Sequence, residues 1–101
     1  MPPCQSLTEI RDNIDRLDRQ IVALLCERQG YVGQAAAFKP TRSDVVVPER
    51  IEEIVGKVRA LAAERGGSAD LMERIYRAMI DAYIAFEDRR WGELHDKASH
   101  P

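Results

Sequence analysis

From Leu7 to Phe38 the apolar residues fall at alternating intervals of three and four: Leu7, Ile10, Ile14, Leu17, Ile21, Leu24, Tyr31, Ala35 and Phe38. A repeat of this kind, sustained over four heptads, belongs to one continuous helix that lays a narrow apolar stripe against a helical partner. Ser6 or Thr8 is placed to cap its start, and Pro40 stops it at about Lys39. At 1.5 Å per residue that helix is about 48 Å long, whereas a compact domain of about 100 residues has a radius of gyration of about 13 Å. The helix overshoots any globule the chain builds alone. Its stripe calls for a second chain.

The remainder reads as two more helices. Residues 40–47 form a connecting loop, and Pro48 suits the first turn of a second helix. That helix carries Ile51, Ile54, Val55, Val58, Leu61 and Ala62 on one face and ends at Gly66-Gly67. Ser68 caps a third, with Leu71, Met72, Ile75, Tyr76, Met79, Ile80, Tyr83, Ile84 and Trp91 facing inward. No stretch alternates as a strand does, so the expected fold is all-α, three helices in a chain whose long stripe pairs with a second chain. One domain is expected over residues 1–101, its core at about 6–92, with a flexible N-terminus and a polar, frayed tail holding His95 and His100.

Composition removes several classes of function. The net charge is −2 and the two signs are interspersed, so no basic block suggests nucleic acid. Met1-Pro2-Pro3-Cys4-Gln5-Ser6 has neither an apolar run nor a small-residue cleavage site, and no apolar stretch is long enough to span a membrane. A cytoplasmic protein is expected. Cys4 and Cys26 stand apart, with no histidine at ligand spacing, and read as reduced thiols, not as a disulfide or a metal site.

The informative residues are charges that interrupt the stripes. Arg28 falls in the heptad column of Leu7, Ile14, Ile21 and Ala35, and Arg11 and Lys39 flank the stripe. Alone, an arginine there is more often a snorkelling or register-setting residue than a ligand contact. Spacing shifts the balance. Arg28 and Lys39 are eleven residues apart, so they point the same way about 16 Å apart, and long side chains leaning together span a small ligand. Arg11 is about 25 Å from Arg28 and reaches that ligand only from a partner subunit. Arg50, in the first turn of the second helix, is a further cation, where the helix dipole disfavours positive charge unless an anion is present; the neighbouring Glu49 is an alternative partner. Glu87 shares the inward face of the third helix with Tyr76, Ile80 and Tyr83, while Asp88, Arg89 and Arg90 make the outer face.

Taken in order, Glu9-Ile10-Arg11-Asp12-x-Ile14-Asp15-Arg16-Leu17-Asp18, Leu24-Leu25-x-Glu27-Arg28, Lys39, Pro48-Glu49-Arg50 and the stretch from Tyr76 to Glu87 resemble the all-helical AroQ class of chorismate mutases. The resemblance covers about residues 6–92. It implies two interlocked three-helix subunits with two active sites, each completed by an arginine from the other chain. By that likeness Arg11 holds a substrate carboxylate across the dimer, Arg28 holds a second carboxylate, and Lys39 donates to the breaking ether oxygen. Arg50 matches the arginine that opens the second helix, and Glu87 stands where many members carry a glutamine facing the same oxygen. Val47 replaces an aspartate three residues before that arginine, Ile51 replaces an acid after it, and Tyr83 replaces a serine. These departures, with Phe38-Lys39 and Trp91, resemble the isochorismate pyruvate lyase branch of the fold, which makes salicylate.

The mutase reaction that the resemblance implies is unimolecular, needs no cofactor, and suits a chain without a Ser-His-Asp or Cys-His constellation. Arg11, Arg28 and Arg50 would fold the enolpyruvyl side chain over the ring. Lys39 and Glu87 would stabilise charge developing on the ether oxygen, Glu87 donating a hydrogen bond only when protonated. The substrate expected is a small dicarboxylate, chorismate. The alternatives are lyase chemistry on isochorismate in the same site, or a non-catalytic dimeric helical module regulating another enzyme.

Overall fold

Helix starts are written locally in this chain. In the computed structural model, which describes residues 1–99, α1 spans Leu7–Ala36, α2 Pro48–Glu64 and α3 Ala69–Ser99. Among the described residues there is no strand. Ser6, not Thr8, caps α1: its Oγ accepts from the Glu9 amide at 3.1 Å, and the Glu9 carboxylate accepts from the Gln5 amide at 2.9 Å. Ser68 does the same for α3 through the Leu71 amide at 3.1 Å. Pro48 occupies the opening turn of α2, where its missing N–H costs nothing.

One helix end departs from expectation. α1 stops at Ala36, three residues short of Lys39. The amides of Ala37, Phe38 and Lys39 turn back to the carbonyls three residues earlier instead of four, the last at 3.4 Å, because Pro40 disfavours helical backbone at Lys39. The loop 40–47 contains a short 3₁₀ turn, Arg42–Val45, whose Asp44 carboxylate accepts from the Thr41 amide and hydroxyl at 3.0 and 2.9 Å. α2 closes with Gly66 at φ +75°, its amide on Ala63 and that of Gly67 on Ala62, a paired cap that glycine makes without strain.

The chain divides into two compact units, Met1–Tyr31 and a second that begins at Val32. The first consists almost wholly of the α1 stripe. Leu7, Ile10, Ile14, Leu17, Ile21 and Leu24 stand 42–65% exposed. The second unit holds the core. α2 packs along α3, the 3₁₀ turn packs on α3, and Ala36, Val45, Val55, Val58, Ala62 and Ile80 are buried. Gly33 faces Phe86, whose ring lies 3.8 Å from where a Cβ would stand. Charged pairs run along the α2–α3 seam. Arg59 bonds Asp70 and Glu73 at 2.9 and 2.8 Å, and the Arg77 fork takes both Glu52 oxygens and one of Glu73. These hydrogen bonds, Arg77 first, hold the Glu52 and Glu73 carboxyls below their usual range.

Three expectations for α3 are corrected. Leu71 and Ile75, one turn apart on α3, are exposed. His95 lies in no frayed tail: it is helical, its ring stacked on Trp91 at 4.1 Å and its Nδ1 2.9 Å from the Trp91 carbonyl. His100 lies outside the described residues. No helix among the described residues is long and apolar enough to cross a membrane.

Candidate active site

Lys39 emerges just past the end of α1 and is followed by proline, so no helical hydrogen bonds hold it. Its side chain nevertheless has a fixed station. Nζ donates to Glu87 Oε2 at 3.0 Å and to the Asp44 carbonyl at 3.2 Å, with the lysine side chain 23% exposed. An ammonium has three N–H donors, of which two have acceptors among the described residues.

Glu87 is the buried charged residue of the described chain, 8% exposed. Placing a carboxylate there is unfavourable unless it is paired, and the Lys39 ammonium supplies the partner. In this structure Glu87 is an acceptor. That differs from a carboxyl aimed solely at a ligand oxygen: one of its two oxygens fixes the lysine.

The other residues singled out from the sequence are placed as follows. Tyr83 lies one turn before Glu87 on α3 and is half-buried. Val47 is the exposed residue preceding α2, with extended backbone. Arg50 is exposed in the first turn of α2 and bonds Glu53 at 2.8 Å, not Glu49. Neighbours in sequence diverge on a helix, whereas residues three apart face one another. Arg11 and Arg28 stand in the unit Met1–Tyr31, Arg11 exposed and Arg28 half-buried, about 25 Å apart along α1.

Four participants escape a reading by heptads. Trp91 Nε1 donates to the Lys39 carbonyl at 2.9 Å. Arg42 Nε bonds Asp88 Oδ1 at 2.8 Å, and its guanidinium lies 5.5 Å from the centre of the Trp91 ring. Asp44 contributes its carbonyl to Lys39. Only Trp91 left a signal, since an inward indole N–H must find an acceptor. A separate apolar groove of about 270 Å³, lined by Val58, Leu61, Ala62, Met72 and Tyr76, lies between α2 and α3. Met72 is fifteen residues from Glu87, about 22 Å along α3, so the groove is not part of the Lys39 site.

The chorismate mutase type II family matches residues 10–88 of the chain. An isochorismate pyruvate lyase from Pseudomonas aeruginosa is 33% identical over 94% of each chain. A chorismate mutase from Methanocaldococcus jannaschii is 27% identical over 92% of this chain and 95% of its own. A bifunctional chorismate mutase/prephenate dehydratase from Aquifex aeolicus is 33% identical over 84% of this chain, which spans a quarter of that longer protein.

Proposed function

Because the chain belongs to the chorismate mutase type II family, we propose that it is an enzyme converting chorismate to prephenate by positioning and charge stabilisation. The observation that carries this reading is the Lys39–Glu87 pair, 3.0 Å apart with the carboxylate buried. The rearrangement asks a protein for a fixed cationic donor where charge grows on the ether oxygen, in a place that excludes water. Lys39, held by Glu87 and the Asp44 carbonyl, is that donor, and its third N–H is the one the ether oxygen takes. Glu87 holds the lysine, and in protonated form donates to the same oxygen.

Two carboxylates on the substrate require further cations. Arg28 and Arg50 take these from the chain that carries Lys39, and Arg11 comes from a second copy. Val47 and Tyr83 line the ring side of the pocket. The working unit is then a homodimer with intertwined subunits and shared sites, each chain one domain of this type, acting in the cytoplasm without a cofactor. The exposed stripe of α1 supports the dimer. So does the core, where among the described residues no large side chain is fully buried.

A second reading is lyase chemistry, isochorismate to salicylate and pyruvate. The full-length similarity to the Pseudomonas aeruginosa enzyme and the departures at Val47, Ile51 and Tyr83 favour it. Both reactions use the same cations. Purified protein offered chorismate and, separately, isochorismate decides between them. The primary reading expects prephenate, a kcat roughly a hundredfold lower in Lys39→Ala, and a raised KM in Arg28→Ala. Salicylate without prephenate establishes the second reading, and turnover of neither substrate overturns both. Glu87→Gln, which still accepts from Lys39 and also donates, keeps activity that Glu87→Ala loses.

A further inference from the structure

Lys39 poses a positioning problem that Glu87 does not solve. Its backbone hangs from a single long turn bond, the Lys39 amide to the Ala36 carbonyl at 3.4 Å, and its side chain has four rotatable bonds. An ammonium on so loose a base samples many positions, and a displacement of about 1 Å costs as much as a hundredfold in rate. α3 supplies a second grip. Glu87 and Trp91 are four residues apart and share one face, the first holding the lysine's Nζ and the second, through its indole N–H, the lysine's carbonyl at 2.9 Å. The residue is held at both ends by one rigid helix.

The same indole is braced in turn. Its ring stacks on His95 at 4.1 Å and 15°, and the Arg42 guanidinium sits 5.5 Å from its centre. Arg42 also bonds the Asp88 carboxylate at 2.8 Å and the Asp88 carbonyl at 3.4 Å. Downstream of Lys39 the chain is therefore tied to α3 a second time, just before Asp44 returns its carbonyl to the lysine ammonium. We propose that Trp91, with the Arg42–Asp88 clasp, is a positioning device for Lys39: it fixes the backbone from which the ammonium reaches the reacting oxygen. The clasp touches no substrate. Its effect passes through the lysine.

This inference rests on the proposed role of Lys39, so its test is a double-mutant cycle on the full-length protein. Trp91→Phe keeps an aromatic ring and removes the N–H. It is expected to lower kcat by roughly ten- to a hundredfold with KM nearly unchanged. In a Lys39→Ala background, the same substitution is expected to lower kcat no further. A merely structural tryptophan costs the same factor in both backgrounds, and that result overturns the proposal, as does near-native kcat in Trp91→Phe. Arg42→Ala, at an exposed side chain, should lower kcat in the same sense by a smaller factor, and that effect should vanish likewise in the Lys39→Ala background. Failure of the underlying reading looks different: Lys39→Ala then keeps native turnover, and the proposal falls with it. Should the protein turn over neither substrate, amide hydrogen exchange over residues 39–46 decides the clasp. Several-fold faster exchange in Trp91→Phe and Arg42→Ala supports it, and unchanged exchange overturns it.

Discussion

The stretch from Leu7 to Tyr31 and the α2–α3 hairpin are built from the same ingredients, an apolar face every three or four residues and a charged surface, yet they end in opposite conditions. The hairpin buries Val55, Val58, Ala62 and Ile80 between its own helices and ties its edges with Arg59 and Arg77. Along the α1 stripe, Leu7, Ile10, Ile14, Leu17, Ile21 and Leu24 are all left exposed. A surface helix of a monomer does not keep so long an apolar row in water, and contiguous patches of this kind mark interaction sites. The difference teaches where stability resides. The hairpin covers its apolar face within the chain, while the stripe leaves its own uncovered, the face that the proposed dimer would bury.

Substitutions in the two regions should therefore fail differently. The largest effect is expected from a charge in the stripe: Ile14→Glu should convert the proposed dimer to monomers by light scattering and abolish activity, while Asp18→Asn on the same helix leaves both intact. Ile14→Glu should also remove the concentration dependence of Tm that a folding-coupled dimer displays. A dimeric, active Ile14→Glu protein would break the comparison.

The hairpin answers with a smaller, local loss. Ile80→Ala deletes a buried side chain and should cost about 2–5 kcal/mol in denaturant unfolding, with the concentration dependence of Tm retained. A cost near zero would say the hairpin core is not where the second unit draws its stability.

The smallest effect concerns pH. Glu52 and Glu73 have carboxyls held below the ordinary glutamate value of 4.5, chiefly by hydrogen bonds from Arg77. A depressed carboxylate contributes stability that is complete above the unfolded value and is lost as pH falls through the lower folded value. Tm should accordingly decline below pH 4.5, less steeply in Arg77→Met, and the difference should shrink in high salt because Glu52 is solvent-exposed and Glu73 partly so. Parallel declines would show the Arg77 fork to be thermodynamically silent.

Legibility tracked how local the physics is. The starts of all three helices were readable because Ser6, Pro48 and Ser68 act on amides within a few residues. The end of α1 was misread because proline's influence extends upstream of Lys39 and periodicity continues through Phe38 regardless of hydrogen bonding. Glu87 was conspicuous as an acid on an apolar face, but its bond to Lys39 spans 48 positions and left no trace in spacing. The Arg42–Asp88 and Trp91–Lys39 contacts were hidden for the same reason. The alternative partner that sequence adjacency offers Arg50, Glu49, is not its neighbour on the helix, and the bond goes to Glu53.

In the proposed dimer one catalytic site draws residues from two copies of the chain, Arg28 and Lys39 from one and Arg11 from the other. Mixing unfolded Arg11→Ala and Arg28→Ala subunits, refolding them together and assaying chorismate turnover tests it directly. Each variant alone should be nearly inactive. A mixed dimer places both lesions in one site and leaves the other intact, so the refolded mixture should recover roughly a quarter of native activity, one intact site in each of the half of the dimers that are mixed. Turnover no higher than the average of the two parents would contradict the account.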